Sequence, residues 1–294
     1  MLEHVNAAPA APKRVVIMGA GGFVGAAIAE RLLKEGVSVI GLSRKDVDLL
    51  VPDAHRKLTN LLKPGDSFVA VSALAPVKNP DMLVDNLVMA RAMIRALAQA
   101  ELAHVVNISS DAIYADGPVP LTEETPAAPA SLHGAMHLAR ELMFRAEVKA
   151  PLAMLRPTLI YGAKDPHNGY GPNRFRRLAA EGKEIVLFGD GEERRDHVFV
   201  DDVAELAFRV LMRKSRGELN VATGRVSTFM EIAVLSKNLS GKRIEIRTTK
   251  RVGPMPHNGY RPFDVSAVGR AFPDFRFTPF EEGYRRSFQG AEHG

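Results

Sequence analysis

A chain that contains Arg14–Gly36, RVVIMGAGGFVGAAIAERLLKEG, has few folds open to it. Val15-Val16-Ile17 is a short β-branched run of the kind that makes a fully buried strand. It leads into Gly19, Gly22 and Gly25, then into apolar residues at helical spacing, Val24, Ile28 and Leu32. Gly36 stands where a glycine closes a helix. Strand, tight glycine turn and helix N-terminus in that order aim free backbone N–H groups at a phosphate. The glycines permit the turn, let a pyrophosphate approach the backbone and keep helix and sheet in contact. A bare glycine triplet is weak, but this one has its strand before it and its helix after it, which points to a dinucleotide site.

The rest of the composition sets bounds. With 294 residues, 46% hydrophobic and 25% charged, the chain can bury a large core in one or two domains. A net charge of +5 is spread among interleaved acids and bases. That is too diffuse to argue for nucleic acid, and it suits a phosphorylated small substrate. The absence of cysteine excludes disulfides and thiolate catalysis and fits the cytoplasm. Residues 1–12 lack the basic start and apolar core of a signal peptide and read as a flexible extension. No run approaches the roughly 18 apolar residues of a membrane span, so no membrane partner is expected.

Short apolar runs follow at Val37–Ile40, Asp48–Leu50, Ser67–Leu74, Val105–Ile108 and Leu152–Leu155, which read as strands two to six. Helical stretches separate them at Lys57–Leu62, from Pro80 to Leu102 and from Ser131 to Val148. Such alternation predicts an α/β fold with a doubly wound parallel sheet, whose ligands sit at the carboxyl ends of the strands. Where the second strand ends, an acidic residue would bind the ribose hydroxyls of NAD, and an arginine would accommodate the extra phosphate of NADP. Ser43 and Arg44 stand there, which reads as NADP, with NAD the alternative if Arg44 is merely a solvated surface residue.

From Tyr161 the pattern changes to a long Gly- and Pro-containing loop, a candidate substrate lid. Ile185–Phe188 and Glu218–Val221 read as strands and Val203–Met212 as a helix, and Thr228-x-x-Glu231 is a capping box. These predict a smaller, discontinuous second domain. The expected division is 13–162 plus about 196–224 for the cofactor, and 163–195 plus 225–294 for the substrate.

The ordered motifs resemble the extended short-chain dehydrogenase/reductase superfamily, in its nucleotide-sugar epimerase, dehydratase and reductase branch. They are the glycine triplet, Asn107-Ile-Ser-Ser-Asp-Ala-Ile-Tyr114, Leu155-Arg-Pro-Thr-Leu-Ile-Tyr-Gly162, Phe188 to Val203, Asn220-Val-Ala-Thr-Gly224 and Arg261-Pro-Phe-Asp-Val-Ser266. The resemblance spans about residues 13 to 288. It implies a cofactor site of Gly19, Gly22, Phe23, Val24, Gly25, Ser43, Arg44, Asp48, Leu49, Ala73, Leu74, Ala75, His137 and Pro157. It implies Arg195 and Arg261 as diphosphate ligands, with Asn173 in the lid; each arginine could instead pair with Asp201, Asp202 or Asp264. It also implies a homodimer through the helices at 82–102 and 131–148.

The pattern breaks on the helix after Ser131. The family carries a tyrosine there and, four residues on, a lysine. The tyrosine phenolate takes the substrate hydroxyl's proton while hydride moves to the nicotinamide, and the lysine lowers its pKa and holds the nicotinamide ribose. This chain has His133-Gly134-Ala135-Met136-His137. In one reading His133 is the base, His137 bonds the ribose and Ser110 holds the substrate oxygen, because imidazole is a competent base near neutrality. In a second, the fold binds cofactor without turnover, as a sensor or partner protein. In a third, His133, His137 and Glu141 share a helix face and bind a metal, a reading weakened because Glu141 has a family counterpart. The expected site therefore contains no metal. Ser110-Asp111 resembles the Ser/Thr-Asp pair of the sugar-nucleotide enzymes, although Asp111 could simply cap its own loop. Ala112 replaces the glutamate of dehydratases, which disfavours elimination of water. Lys78 is a further candidate for the missing cation.

Overall fold

A computed structural model describes residues 2–290; Met1 and residues 291–294, which fall in the expected extension and substrate domain, lie outside the described residues. The strands in chain order are β1 (Glu3–His4), β2 (Val15–Met18), β3 (Val39–Leu42), β4 (Ser67–Ala70), β5 (His104–Ile108), β6 (Leu152–Pro157), β7 (Leu159–Tyr161), β8 (Ile185–Phe188), β9 (Arg194–Phe199) and β10 (Ser215–Val221). Seven of them form the main sheet in the order β1-β10-β6-β5-β4-β2-β3. All its pairings are parallel except that of β1 with β10.

Strand β2 explains why the run Val15–Met18 is apolar without alternation, for both of its faces are covered. Val15 and Ile17 pack with Ile28 and Leu32 of α1 (Phe23–Lys34) on one side. Val16 and Met18 face the opposite layer. There lie α2 (Ala54–Thr59), α3 (Pro80–Leu97) and α4 (Leu132–Glu147). They bring Leu58, Met93 and Phe144 against the sheet. Helix α3 begins as its sequence demands, with the Asn79 side chain accepting from the Met82 N–H and Pro80 in the first turn.

A second structural layer lies over the strand ends. It contains α5 (Pro172–Glu181), β11 (Val226–Thr228), α7 (Phe229–Ser240), β12 (Ile246–Thr249), β13 (Tyr260–Arg261) and α9 (Phe280–Gln289), while α6 (Val200–Arg213) and α8 (Ser266–Ala271) pack on the main sheet. Helix α6 itself returns to the main sheet beside α1. Strand β9 is central to the smaller sheet, pairing with β7, β11 and β13. The Thr228–Glu231 capping box forms with both of its hydrogen bonds.

Several expectations need correction. Asp48–Leu50 is a turn rather than a third strand; the Asp48 carboxylate accepts from the Leu50 N–H, a local bond that competes with a ladder. The strand expected to run to Leu74 stops at Ala70, and that expected at Val37–Ile40 is displaced to Val39–Leu42. The helical stretch expected at Lys57–Leu62 is Ala54–Thr59. Residues 2–12 of the expected extension are tied to the fold, with the Asn6 and Ala10 N–H groups donating to the Arg213 and Met212 carbonyls. Glu3 and His4 pair with Arg216 and Ser215, and the His4 ring contacts the Ser215 hydroxyl at 2.8 Å and the Ala271 carbonyl at 2.9 Å. No helix among the described residues is long and apolar enough to cross a membrane.

Candidate active site

The carboxyl ends of β2, β4, β5 and β6 open into a cleft of about 790 Å³. Its walls include Gly19, Gly22, Phe23, Val24, Arg44, Asp48, Leu49, Ala73, Leu74, Ala75, Ser110, Asp111, His133, His137, Pro157, Asn173 and Arg195. Three expected residues are outside these walls: Ser43, Gly25 and Arg261.

At one end the glycine turn forms the wall. Gly19 has φ +105°, and a Cβ there would lie 2.8 Å from the Ser72 nitrogen. Gly25 does not face the cleft because it is the packing contact of the turn; a Cβ on it would lie 2.1 Å from the Gly19 carbonyl oxygen. No side chain caps the start of α1 at Gly22. That leaves the first N–H groups of the helix to an anion, so this end fits a pyrophosphate. Beyond it, Arg44 is largely exposed, and its Nε donates to the Asp48 carboxylate at 3.0 Å. The Ser43 hydroxyl donates to Asp46 at 2.8 Å, which turns it into a loop brace away from the cleft.

The other end is made of side chains. Ser131 caps α4 by accepting from the Gly134 N–H. A Cβ on Gly134 would fall 2.0 Å from the Ala112 carbonyl oxygen, so only glycine lets this helix press against the turn at Asp111–Ile113. That approach brings His133 and His137 to the same wall as Ser110 and Asp111. The two imidazoles meet edge to face at 4.7 Å, and the Nδ1 of each is buried without a hydrogen-bond partner. Burial pushes His133 below the usual imidazole range, while Asp111 acts to raise it and His167 to lower it. His137, more deeply buried and beside His133 and Arg140, is held well below that range. Both rings are therefore neutral at pH 7.

Glu141 cannot join them. Its carboxylate accepts from Arg156 at 2.9 and 2.7 Å and from Arg145 at 3.0 Å. Among the described residues no group of three His, Cys, Asp or Glu side chains is placed to hold a metal ion. Lys78 is exposed and does not reach the cleft. Arg261 is buried as a brace. Its Nε donates to the Asp111 carboxylate at 3.0 Å and one terminal nitrogen to the Asp111 carbonyl at 2.8 Å, while the other reaches Asp116 at 2.9 Å. Arg195 stays on the wall, paired with Glu193 at 3.3 Å. Neither arginine pairs with Asp201, Asp202 or Asp264, as the sequence allowed. Asn173 lines the cleft, but its amide bridges the Gly162 N–H and the Ile160 carbonyl, both at 3.1 Å.

The family model for the NAD dependent epimerase/dehydratase family matches residues 15–222. The chain belongs to this family. A UDP-glucose 4-epimerase of Mycolicibacterium smegmatis is 30% identical over 254 residues, covering 74% of this chain and 80% of that protein. Among solved structures, the NAD complex of a UDP-glucose 4-epimerase from Thermus thermophilus superposes with a TM-score of 0.83 at 24% identity, covering 95% and 99% of the two chains. The NADP-bound GDP-L-fucose synthetase of Naegleria fowleri gives 0.84 at 17%, covering 98% and 96%. Likenesses at this level of identity establish a shared fold.

The titratable groups on the cleft wall are arginines, aspartates, histidines and tyrosines. No lysine lines it among the described residues, and the tyrosines that do are Tyr114 and Tyr170. The Tyr114 hydroxyl donates to Asn220 at 2.7 Å and accepts from Arg156 at 2.8 Å; burial raises its pKa to about 12. Tyr170 accepts from the Phe188 N–H at 3.1 Å, and burial raises its pKa too. Arg140 is a buried cation that no carboxylate among the described residues answers, donating to Asn107, the Ser72 carbonyl and the Ala70 carbonyl; burial lowers its pKa to about 10.

The wall residues that were not anticipated include Tyr170, His197 and His257. A signal for His197 existed. It lies two residues after Arg195 on a strand, and residues at i and i+2 share a face. Asp196 between them points the other way, to Thr158 and Thr223.

Proposed function

We propose that the protein is an NAD(P)-dependent nucleotide-sugar epimerase or reductase in which His133 serves as the acid–base group. The carrying observation is that His133 stands on the cleft wall with its Nδ1 buried and unpartnered, while both wall tyrosines have their hydroxyls held by other partners. The glycine turn and Phe23-Val24 would hold the pyrophosphate, Asp48-Leu49 the adenine and Pro157 the nicotinamide side. Arg44, free to swing from Asp48, would take the 2′-phosphate of NADP; NAD is the alternative. Bound there, the nicotinamide supplies hydride acceptance and return at a sugar carbinol carbon.

His133 removes the proton from the sugar hydroxyl as the carbon–hydrogen bond breaks, and returns it in the reverse sense. Ser110 positions the reacting oxygen, and His137 meets the nicotinamide ribose. Asp111 is fixed by Arg261, which acts by positioning. Arg195, with Asn173 bracing the lid, faces the diphosphate. Ala112 at the dehydratase glutamate position argues against water elimination. We place the protein in the cytoplasm as a homodimer through α3 and α4, where Val84, Leu132 and Leu142 are exposed. The cofactor part covers 13–162 plus about 196–224, and the substrate part 163–195 plus 225–294.

The test is His133→Phe, assayed with NADPH, NADH and a panel of UDP-, GDP- and dTDP-sugars. Turnover should be lost with cofactor affinity nearly unchanged; equal turnover in the variant would sink the histidine base. Wild-type protein that binds cofactor tightly and turns over none of the panel would support a non-catalytic cofactor-binding role, which the absence of lysine from the wall favours.

A further inference from the structure

His197 lies on β9 with its ring between Phe229 and Phe280, at centroid distances of 6.0 and 5.8 Å. Its Nδ1 contacts the Arg195 carbonyl oxygen at 3.1 Å. A carbonyl can only accept, so Nδ1 carries the hydrogen and Nε2 carries a lone pair. That Nε2 is buried, belongs to a residue on the cleft wall, and has no hydrogen-bond partner. It lies under the lid at Gly171, where an added Cβ would come within 3.8 Å of it. Gly171 has φ +124°, which no other residue tolerates well, so the lid backbone passes close over the ring.

We propose that His197 is a specificity-determining residue whose Nε2 accepts a hydrogen bond from one hydroxyl of the substrate's sugar. This rests on the nucleotide-sugar reading above. The chemistry selects a neutral donor. A lone pair in a pocket walled by aromatic rings repels an anionic oxygen, and burial beside Arg195 opposes protonation, holding the ring neutral with its pKa lowered to about 3. The division of labour on one strand face follows, with Arg195 meeting negative charge and His197, two residues on, meeting a hydroxyl. A buried acceptor left unpaired is unfavourable, so a ligand that supplies the donor gains over one that lacks it. Leu159 pairs with His197 across the β7–β9 ladder and lines the same wall, adding no competing donor from its side chain.

The experiment measures binding of UDP-glucose and its monodeoxy analogues to NADPH-loaded protein, for wild type, His197→Phe and His197→Gln. Phenylalanine preserves the ring packing and removes the acceptor; glutamine can offer an oxygen near the Nε2 position. In wild type, one deoxy analogue should bind about tenfold more weakly than UDP-glucose. His197→Phe should lose UDP-glucose affinity by a similar factor and bind that analogue no worse than UDP-glucose. His197→Gln should restore part of the discrimination. A deoxy penalty that persists unchanged in His197→Phe overturns the proposal. So does a nitrogen-15 spectrum with His197 protonated on Nε2 at pH 7, an outcome that leaves the proposed function standing. A wild type that binds no sugar of the UDP-, GDP- and dTDP- panel overturns both.

Discussion

The two ends of the cleft solve their problems by opposite means. At the pyrophosphate end the working groups are backbone N–H donors, and the residues matter for what they lack. Gly19 and Gly25 are there because a Cβ would strike Ser72 and the Gly19 carbonyl. At the acid–base end the working groups are side chains, and the helix that carries them is positioned by one more glycine, Gly134. A backbone site tolerates no addition; a side-chain site tolerates replacement wherever another group can do the same proton transfer. The family match over residues 15–222 therefore carries the first end more firmly than the second.

The largest effect should come from the side-chain end. His133→Phe should lower kcat by about a hundred- to ten-thousand-fold in steady-state assays. Titration should find its cofactor affinity within about twofold of wild type. The converse change, Gly25→Ala, should weaken cofactor binding by about a hundredfold, roughly 2.7 kcal/mol, with kcat at saturating cofactor far less affected. Circular dichroism should verify that this variant stays folded. If Gly25→Ala struck kcat and His133→Phe struck affinity, the contrast would be wrong. Arg44→Ala should abolish a preference for NADP of about tenfold, read by parallel titration with the two cofactors. The smallest effect is on pH. A base whose pKa lies below the usual 6.5 is still unprotonated at that pH, so the acidic limb of kcat/KM should fall below pH 6.5. A limb at or above 6.5 would mean that the attraction of Asp111 outweighs burial and the neighbouring His137 and His167 at the His133 ring.

The same contrast governs how much could be read in advance. The parallel strands were legible because a strand buried on both faces is an unbroken apolar run, as Val15–Met18 is. The Thr228–Glu231 box and the glycine at 36 follow from local chemistry and form as expected. Asp48–Leu50 misled because two leucines after an acid fit a strand as well as a turn, and the Asp48 side chain decides between them by bonding the Leu50 N–H. Arg261 misled for a different reason. Its role depends on Asp111 and Asp116, about 150 residues earlier, and no local pattern announces a pairing between such distant side chains. His197 was legible in principle from strand alternation. Its neutrality was not, since that comes from Phe229, Phe280 and the lid.

Strand β1 carries a practical consequence. Its two residues occupy the free edge of β10, the outermost parallel strand on that side of the sheet. Take them away and the Ser215–Arg216 end of β10 offers unpaired N–H and C=O groups to any other chain in solution. A version of the protein trimmed to begin at Arg14 would thus keep its glycine turn and its cleft, yet should self-associate through that edge.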